Sequence, residues 1–257
     1  MIFNSPKPKV SVVIPAFNEE KYIYKTLSAI VSQSYKNYEV IIVNNNSTDA
    51  TEKIIDFFIK TTPTSVPINY MVETRQGTNY ARETGRRTAT GEIIALLDAD
   101  CVPNFYWLEK GVKQMQKINT TAATGAYYYY DANIFLRIFS LISQLFIFKL
   151  VNRLIQWKEK GAILIGGNAF MSSYLLHQIG GFNTNLTFYG DDIDIAIKLS
   201  KYGFVNYASS LTINTSSRRY KALGFWNVNK KYQKIFKDLI KGKILAPSQT
   251  LEIIHPR

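Results

Sequence analysis

The sequence predicts an α/β fold with a mostly parallel sheet flanked by helices. Three observations carry the prediction. Short apolar runs alternate with helical patterns through the first hundred residues. Strands separated by helices of that length form βαβ units. The Asn- and Asp-rich segments fall at the carboxyl ends of the predicted strands, where such sheets bind ligands.

Each element follows from its local pattern. Val10 to Ile14 reads as a buried strand ended by Pro15. Residues 19–34 carry Ile23, Leu27, Ile30 and Val31 at helical spacing. A second strand spans Glu39 to Val43, and Ser47 or Asp49 caps a helix running to about Ile59. Ile68 to Val72 is a third strand and Thr78 to Ala89 a third helix. Ile93 to Leu97 is a fourth strand, leading into Asp98-Ala99-Asp100. Beyond it, 103–117 and 191–202 read as helices, the latter ended by Gly203, and Tyr127 to Tyr130 is a tyrosine run. The stretch Asn133 to Trp157 is rich in Ile, Leu and Phe, but Arg137, Lys149 and Arg153 interrupt it. Its longest unbroken apolar run is short, which argues against a membrane span of about 20 apolar residues. Its polar positions drift around the helix. A helix packed on the sheet, a dimer contact and an interfacial membrane helix all stay open.

Composition bounds the function. The chain has 257 residues and 46% hydrophobic content, enough for one domain with a substantial core. Cys101 is the single cysteine, so no internal disulfide forms and a reducing, cytoplasmic setting is expected. His177 and His255 lie too far apart in sequence for a histidine-rich zinc site. Residues 1–8 lack the apolar core of a signal peptide. A net charge of +12 favours anionic partners. No nucleic-acid-binding motif is present, so nucleotides and an anionic membrane surface are expected partners ahead of nucleic acid.

Asp98 and Asp100 are the leading candidates for chemistry. Two carboxylates at the end of a buried strand can hold a divalent cation against nucleotide phosphates, because Mg²⁺ and similar ions take oxygen ligands from one or two carboxylates plus phosphate. Pro15 to Glu19 and Asn44 to Asp49 follow the first two strands, and Asp191-Asp192-Ile193-Asp194 opens a late helix. Taken singly, such clusters make turns and caps more often than sites. Cys101 has no histidine near it in sequence, and Trp107 reads as packing.

Together, and in this order, Pro15-Ala16-Phe17-Asn18-Glu19, Val43 to Asp49, Gly77 with Ala81-Arg82, Leu97 to Asp100, Gly180-Gly181-Phe182 and Asp191 to Asp194 resemble family 2 glycosyltransferases. The resemblance covers roughly Val10 to Gly203. It implies the GT-A fold, a Rossmann-like sheet, with a helical C-terminal extension. Residues 1–215 would form the glycosyltransferase domain, 1–103 its nucleotide half and 104–215 its acceptor half. Residues 216–257 would form a basic helical extension. The resemblance implies an inverting, metal-dependent transfer of a sugar from a nucleoside-diphosphate-sugar to a hydroxyl on a glycan or lipid-linked acceptor. Asp100 would be the main ligand of Mn²⁺ or Mg²⁺, with Asp98 its partner or a contact to the ribose or sugar. Pro15, Ala16, Asn18, Glu19, Asn44, Asn45, Arg82, Ala99, Asn168, Arg218 and Arg219 would contact the nucleotide-sugar. Asp192 would be the general base, Asp191 would orient the site, and Asp194 would stabilise its helix. The family commonly has an aspartate where this chain has Asn44 and Asn45, so the base is left open: UDP is only the default donor nucleoside, and GDP is an alternative. A nucleotidyltransferase and a non-catalytic nucleotide-binding scaffold are the competing readings. The expected location is the cytoplasm, with peripheral contact to the membrane face.

Overall fold

Seven strands form the central sheet of the computed structural model, which describes residues 5–186 and 190–240. The first hundred residues read β1 (Val10–Ala16), α1 (Ile23–Val31), β2 (Tyr38–Asn44), α2 (Thr51–Thr61), β3 (Ile68–Val72), α3 (Thr78–Thr88) and β4 (Ile93–Leu97). Then follow β5 (Cys101–Val102), α4 (Trp107–Met115), β6 (Thr120–Thr124) and β7 (Tyr127–Tyr129). One long helix comes next: α5 (Ile134–Ile142), a π-helical segment over Ser143–Phe148, and α6 (Lys149–Trp157). The chain continues through β8 (Asn168–Ser172), α7 (Ser173–Gln178), α8 (Asp191–Ser200), β9 (Phe204–Tyr207), β10 (Ile213–Thr215), α9 (Arg218–Leu223) and α10 (Phe225–Ile240). Of the expected extension over 216–257, the part beyond Ile240 lies outside the described residues.

The sheet order is β3-β2-β1-β4-β8-β6-β9. Strand β8 alone in this sheet runs antiparallel to its neighbours, β4 and β6. The other neighbour pairs are parallel. Strands β1, β2 and β4 are buried along nearly their whole length because helices cover both faces. Val12 and Ile14 point into one core with Ile23, Ile55, Trp107 and Phe170. Val13 points the other way, into a second core with Ala81, Leu96, Met171 and Leu199. A three-stranded sheet, β5-β10-β7, stands beside the main one and carries the chain past Asp100.

The helix over 134–157 settles the drifting polar pattern. Ser140, Gln144 and Asn152 face the protein, while Phe135, Phe146, Leu150 and Trp157 face outward together with Lys149 and Arg153. Gln144 pairs with the backbone of Tyr127, accepting from its N–H at 2.9 Å and donating to its carbonyl at 3.0 Å. Gln156 does the same with Val205, at 2.8 and 3.0 Å. Asn152 donates to the Val205 carbonyl and accepts from Ile163 N–H. Strands β7 and β9 each lie at the edge of a sheet, and these amides satisfy backbone groups that an edge leaves open. The π segment inserts a phase shift between Gln144 and Asn152. By length and composition this 24-residue helix is apolar enough to cross a membrane. The short uninterrupted run argues otherwise, but its interruptions divide between two faces: Ser140, Gln144 and Asn152 sit against the domain, while Lys149 and Arg153 are exposed.

Candidate active site

The carboxyl ends of β1, β2 and β4 open onto a cavity of about 790 Å³. Pro15, Ala16, Phe17 and Glu19 line it after β1, Asn45 after β2, and Asp98, Ala99 and Asp100 after β4. Thr78 and Arg82 reach it from α3, Asp191 and Asp192 from α8, and Arg218 and Arg219 from α9. Residues far apart in sequence thus meet around one space.

Two arginines organise the carboxylates. Arg82 is nearly fully buried, and its guanidinium pairs with Asp191 and, at 3.1 Å, with Asp98. Arg218 pairs with Glu19 and, at 3.1 Å, with Asp100, while stacking on the Tyr22 ring. Burial raises the Asp100 carboxyl above its ordinary value, Arg218 opposes that rise, and Asp98 adds to it. Asp192 is pushed up to about 7 by burial and by the Asp191 carboxylate, against the pull of Arg82. A carboxylate tuned toward neutrality in a cavity is suited to proton transfer. Cys101 is buried, and its thiol is pushed up by that burial, so it is inert.

Close approach explains one glycine here. A Cβ on Gly167 would fall 2.0 Å from Asp98 Oδ2 and 2.3 Å from the Tyr127 hydroxyl. Only glycine leaves the Asp98 carboxylate its place. At Gly190, φ is +91°, so the turn into Asp191 uses the left-handed region that glycine enters freely.

Three of the expected nucleotide-sugar contacts lie away from the cavity wall. Asn168 is fully buried and turned away from the cavity. Its amide accepts from Trp107 Nε1 at 2.9 Å and donates to the carbonyls of Gly125 and Leu211. Asn44 is also buried: it donates to the Tyr70 hydroxyl and accepts from Ser47 N–H. Asn18 lies off the cavity wall and accepts from Thr48 N–H. These asparagines face strand ends and turns whose backbone groups need partners. Asn45 does line the cavity, but its amide is committed to Gly77 N–H and to the carbonyls of Glu73 and Arg75.

Sequence reasoning missed two residues. The Tyr127 hydroxyl lies 3.5 Å from Asp98 Oδ2. Asp131 accepts from Ser217 N–H at 2.6 Å and pairs with Lys221 at 3.0 Å, fixing the turn that presents Arg218. Burial alone would raise the Asp131 carboxyl, yet these hydrogen bonds hold it at about 2. The tyrosine run was the available signal for Tyr127. No spacing announces Asp131, whose partners lie some 85 residues away.

The strand order and the acidic, arginine-clamped cavity define the class, an α/β protein of GT-A architecture. The chain belongs to glycosyl transferase family 2, whose pattern matches residues 11–180. Among curated relatives, the glycosyltransferase AglE of Haloferax volcanii is 43% identical over 110 residues, which is 42% of this chain and 36% of that protein. The probable glycosyltransferase YdaM of Bacillus subtilis is 29% identical over 209 residues, 77% of this chain and 48% of that protein. The chain therefore spans about a third to a half of these relatives. Among solved structures, a mannosyltransferase, PcManGT from Pyrobaculum calidifontis in complex with GDP-Man and Mn²⁺, superposes with a TM-score of 0.74 at 25% identity, covering 96% of this chain and 68% of that one. TarS of S. aureus, residues 1–349, shares the fold with a TM-score of 0.67 at 17% identity, covering 94% and 68%.

Proposed function

We propose that the chain is an inverting, metal-dependent glycosyltransferase that moves a sugar from a nucleoside-diphosphate-sugar to an acceptor hydroxyl. The observation that carries the reading is the meeting of Asp98, Asp100 and Asp192 with Arg218 and Arg219 around one cavity. In this reading residues 1–103 hold the nucleotide, 104–215 the acceptor, and 216–257 form a basic helical extension, of which the part beyond Ile240 lies outside the described residues. The solved neighbours support a nucleotide-sugar donor, since one holds GDP-Man with Mn²⁺ and others hold UDP or UDP-GlcNAc.

The donor set fits Mn²⁺ or Mg²⁺. Among the described residues no group of three or more His, Cys, Asp or Glu could cage a metal. Asp98 and Asp100 instead offer two hard oxygen donors on the cavity wall, 35% and 14% exposed at the side chain. That suits an ion that takes its remaining ligands from a diphosphate and water. When bound, the metal would neutralise the departing diphosphate as a Lewis acid. Arg218 and Arg219 add positive charge on the same side. Asp192 accepts the proton of the attacking hydroxyl, and Asp191, held by Arg82, keeps Asp192 raised and oriented.

Replacing Asp100 by Ala is expected to lower metal-dependent turnover at least roughly a hundredfold with the fold intact. Full activity in that variant would remove the metal assignment.

A further inference from the structure

We infer that the helix over 134–157 is a docking face for an anionic lipid surface. The helix is inside out. Ser140, Gln144 and Asn152 are buried. Phe135, Phe146, Leu150 and Trp157 are 84%, 69%, 59% and 78% exposed. Soluble helices bury the apolar stripe, and a contiguous exposed one marks a contact surface.

The chemistry of the face selects a bilayer. Lys149 and Arg153 stand exposed within the apolar stripe, and Lys158 and Lys160 follow its end. Basic side chains among Phe, Leu and Trp are the pattern of a helix lying in the headgroup plane, with the aromatic rings at the polar boundary. Trp226 is a second exposed tryptophan, 68% exposed, on the cavity rim beside Phe225, whose ring packs on Phe139 of this helix. The net charge of +12 adds long-range attraction to anionic headgroups. A second copy fits less well, because a two-fold contact sets Lys149 and Arg153 against the same patch on the partner. Crossing the bilayer would break the bonds that hold Gln144, Asn152 and Gln156 to Tyr127, Ile163 and Val205, so the helix lies along the surface. The same helix also walls the cavity with Phe139, Ile147, Phe148 and Val151. The site thus opens where the lipid would lie, and an acceptor with an apolar tail would reach it from there.

Docking does not depend on the proposed metal or base assignments, and the test keeps them separate. The full chain is floated with vesicles of phosphatidylcholine, with or without phosphatidylglycerol, and donor hydrolysis is assayed in the same samples. The expected result is flotation with anionic vesicles, reversed by high salt, with a blue shift of tryptophan emission. The combined variant Phe135→Ser, Phe146→Ser, Leu150→Ser and Trp157→Ser should lose roughly tenfold or more in vesicle partition while keeping its hydrolysis rate. A second variant, Lys149→Glu with Arg153→Glu, should lose the preference for anionic vesicles. Equal flotation of wild type and serine variant would overturn the inference. So would a lipid-free dimer in sedimentation that the serine variant dissolves, or retention on membranes after alkaline carbonate, which marks a spanning helix.

Discussion

Asp192 carries the clearest prediction at the scale of single residues. Its carboxyl is raised from 3.8 to about 7. A general base works only when deprotonated, so the rate should climb with pH through an ascending limb near 7. The same shift acts oppositely on stability. The folded state binds this proton more tightly than the unfolded chain, so the group favours folding below 3.8 and loses that contribution as pH rises through 7. Asp192→Asn should lower transfer by about 10²–10⁴-fold and erase the limb while leaving donor affinity unchanged. A rate profile that keeps its limb in this variant would exclude the assignment. Gly167→Ala should push Asp98 off its position, given a Cβ only 2.0 Å from its carboxylate. We expect metal-dependent donor binding to weaken in calorimetry, with folding stability lowered by about 1–3 kcal/mol. The meeting of Asp98 and Asp100 with the loops after β1 and β2 was legible in the sequence because all three follow buried strands of one parallel sheet. The asparagines were not. Asn44 and Asn168 were expected to face the ligand, but the neighbouring Tyr70 hydroxyl, Ser47 N–H and Trp107 Nε1 claim their amides.

At the scale of elements, Asn168 pins four segments together. It accepts from Trp107 of α4 and donates to the carbonyls of Gly125 and Leu211, while its own carbonyl takes the Thr124 hydroxyl. Asn168→Ala would leave Trp107 Nε1 and the carbonyls of Gly125 and Leu211 without the amide while keeping the Thr124 bond to the main chain, and should cost about 3 kcal/mol or more. Urea unfolding measures it, and an unchanged midpoint would show that the amide is dispensable. Asp131 performs a comparable task for α9. Asp131→Ala frees the turn at Ser217, so Arg218 loses its fixed place beside Glu19 and Asp100. We expect a raised KM for the donor with kcat less affected, and Asp131→Glu should restore part of the loss. The regular βαβ elements were readable because apolar runs and helical periods repeat cleanly up to Leu97. The helix over 134–157 was not assigned a partner, since which face turns inward depends on where the edges of β7 and β9 lie. That is a tertiary fact with no local signature.

Across the whole molecule, the ends of β1, β2 and β4, the start of α8, the helices α9 and α10, and the helix over 134–157 line one cavity. The surplus of 31 Lys and Arg over 19 Asp and Glu gives the positive surface, while key carboxylates gather inside the cavity. Metal-dependent release of nucleoside diphosphate from a panel of UDP- and GDP-sugars, in the wild type and in Asp100→Ala, tests the central claim most directly. The account predicts release with Mn²⁺ or Mg²⁺ from the wild type, none after chelation, and none from the variant. Release that survives chelation or the Asp100→Ala change, or pyrophosphate in place of nucleoside diphosphate, would contradict it.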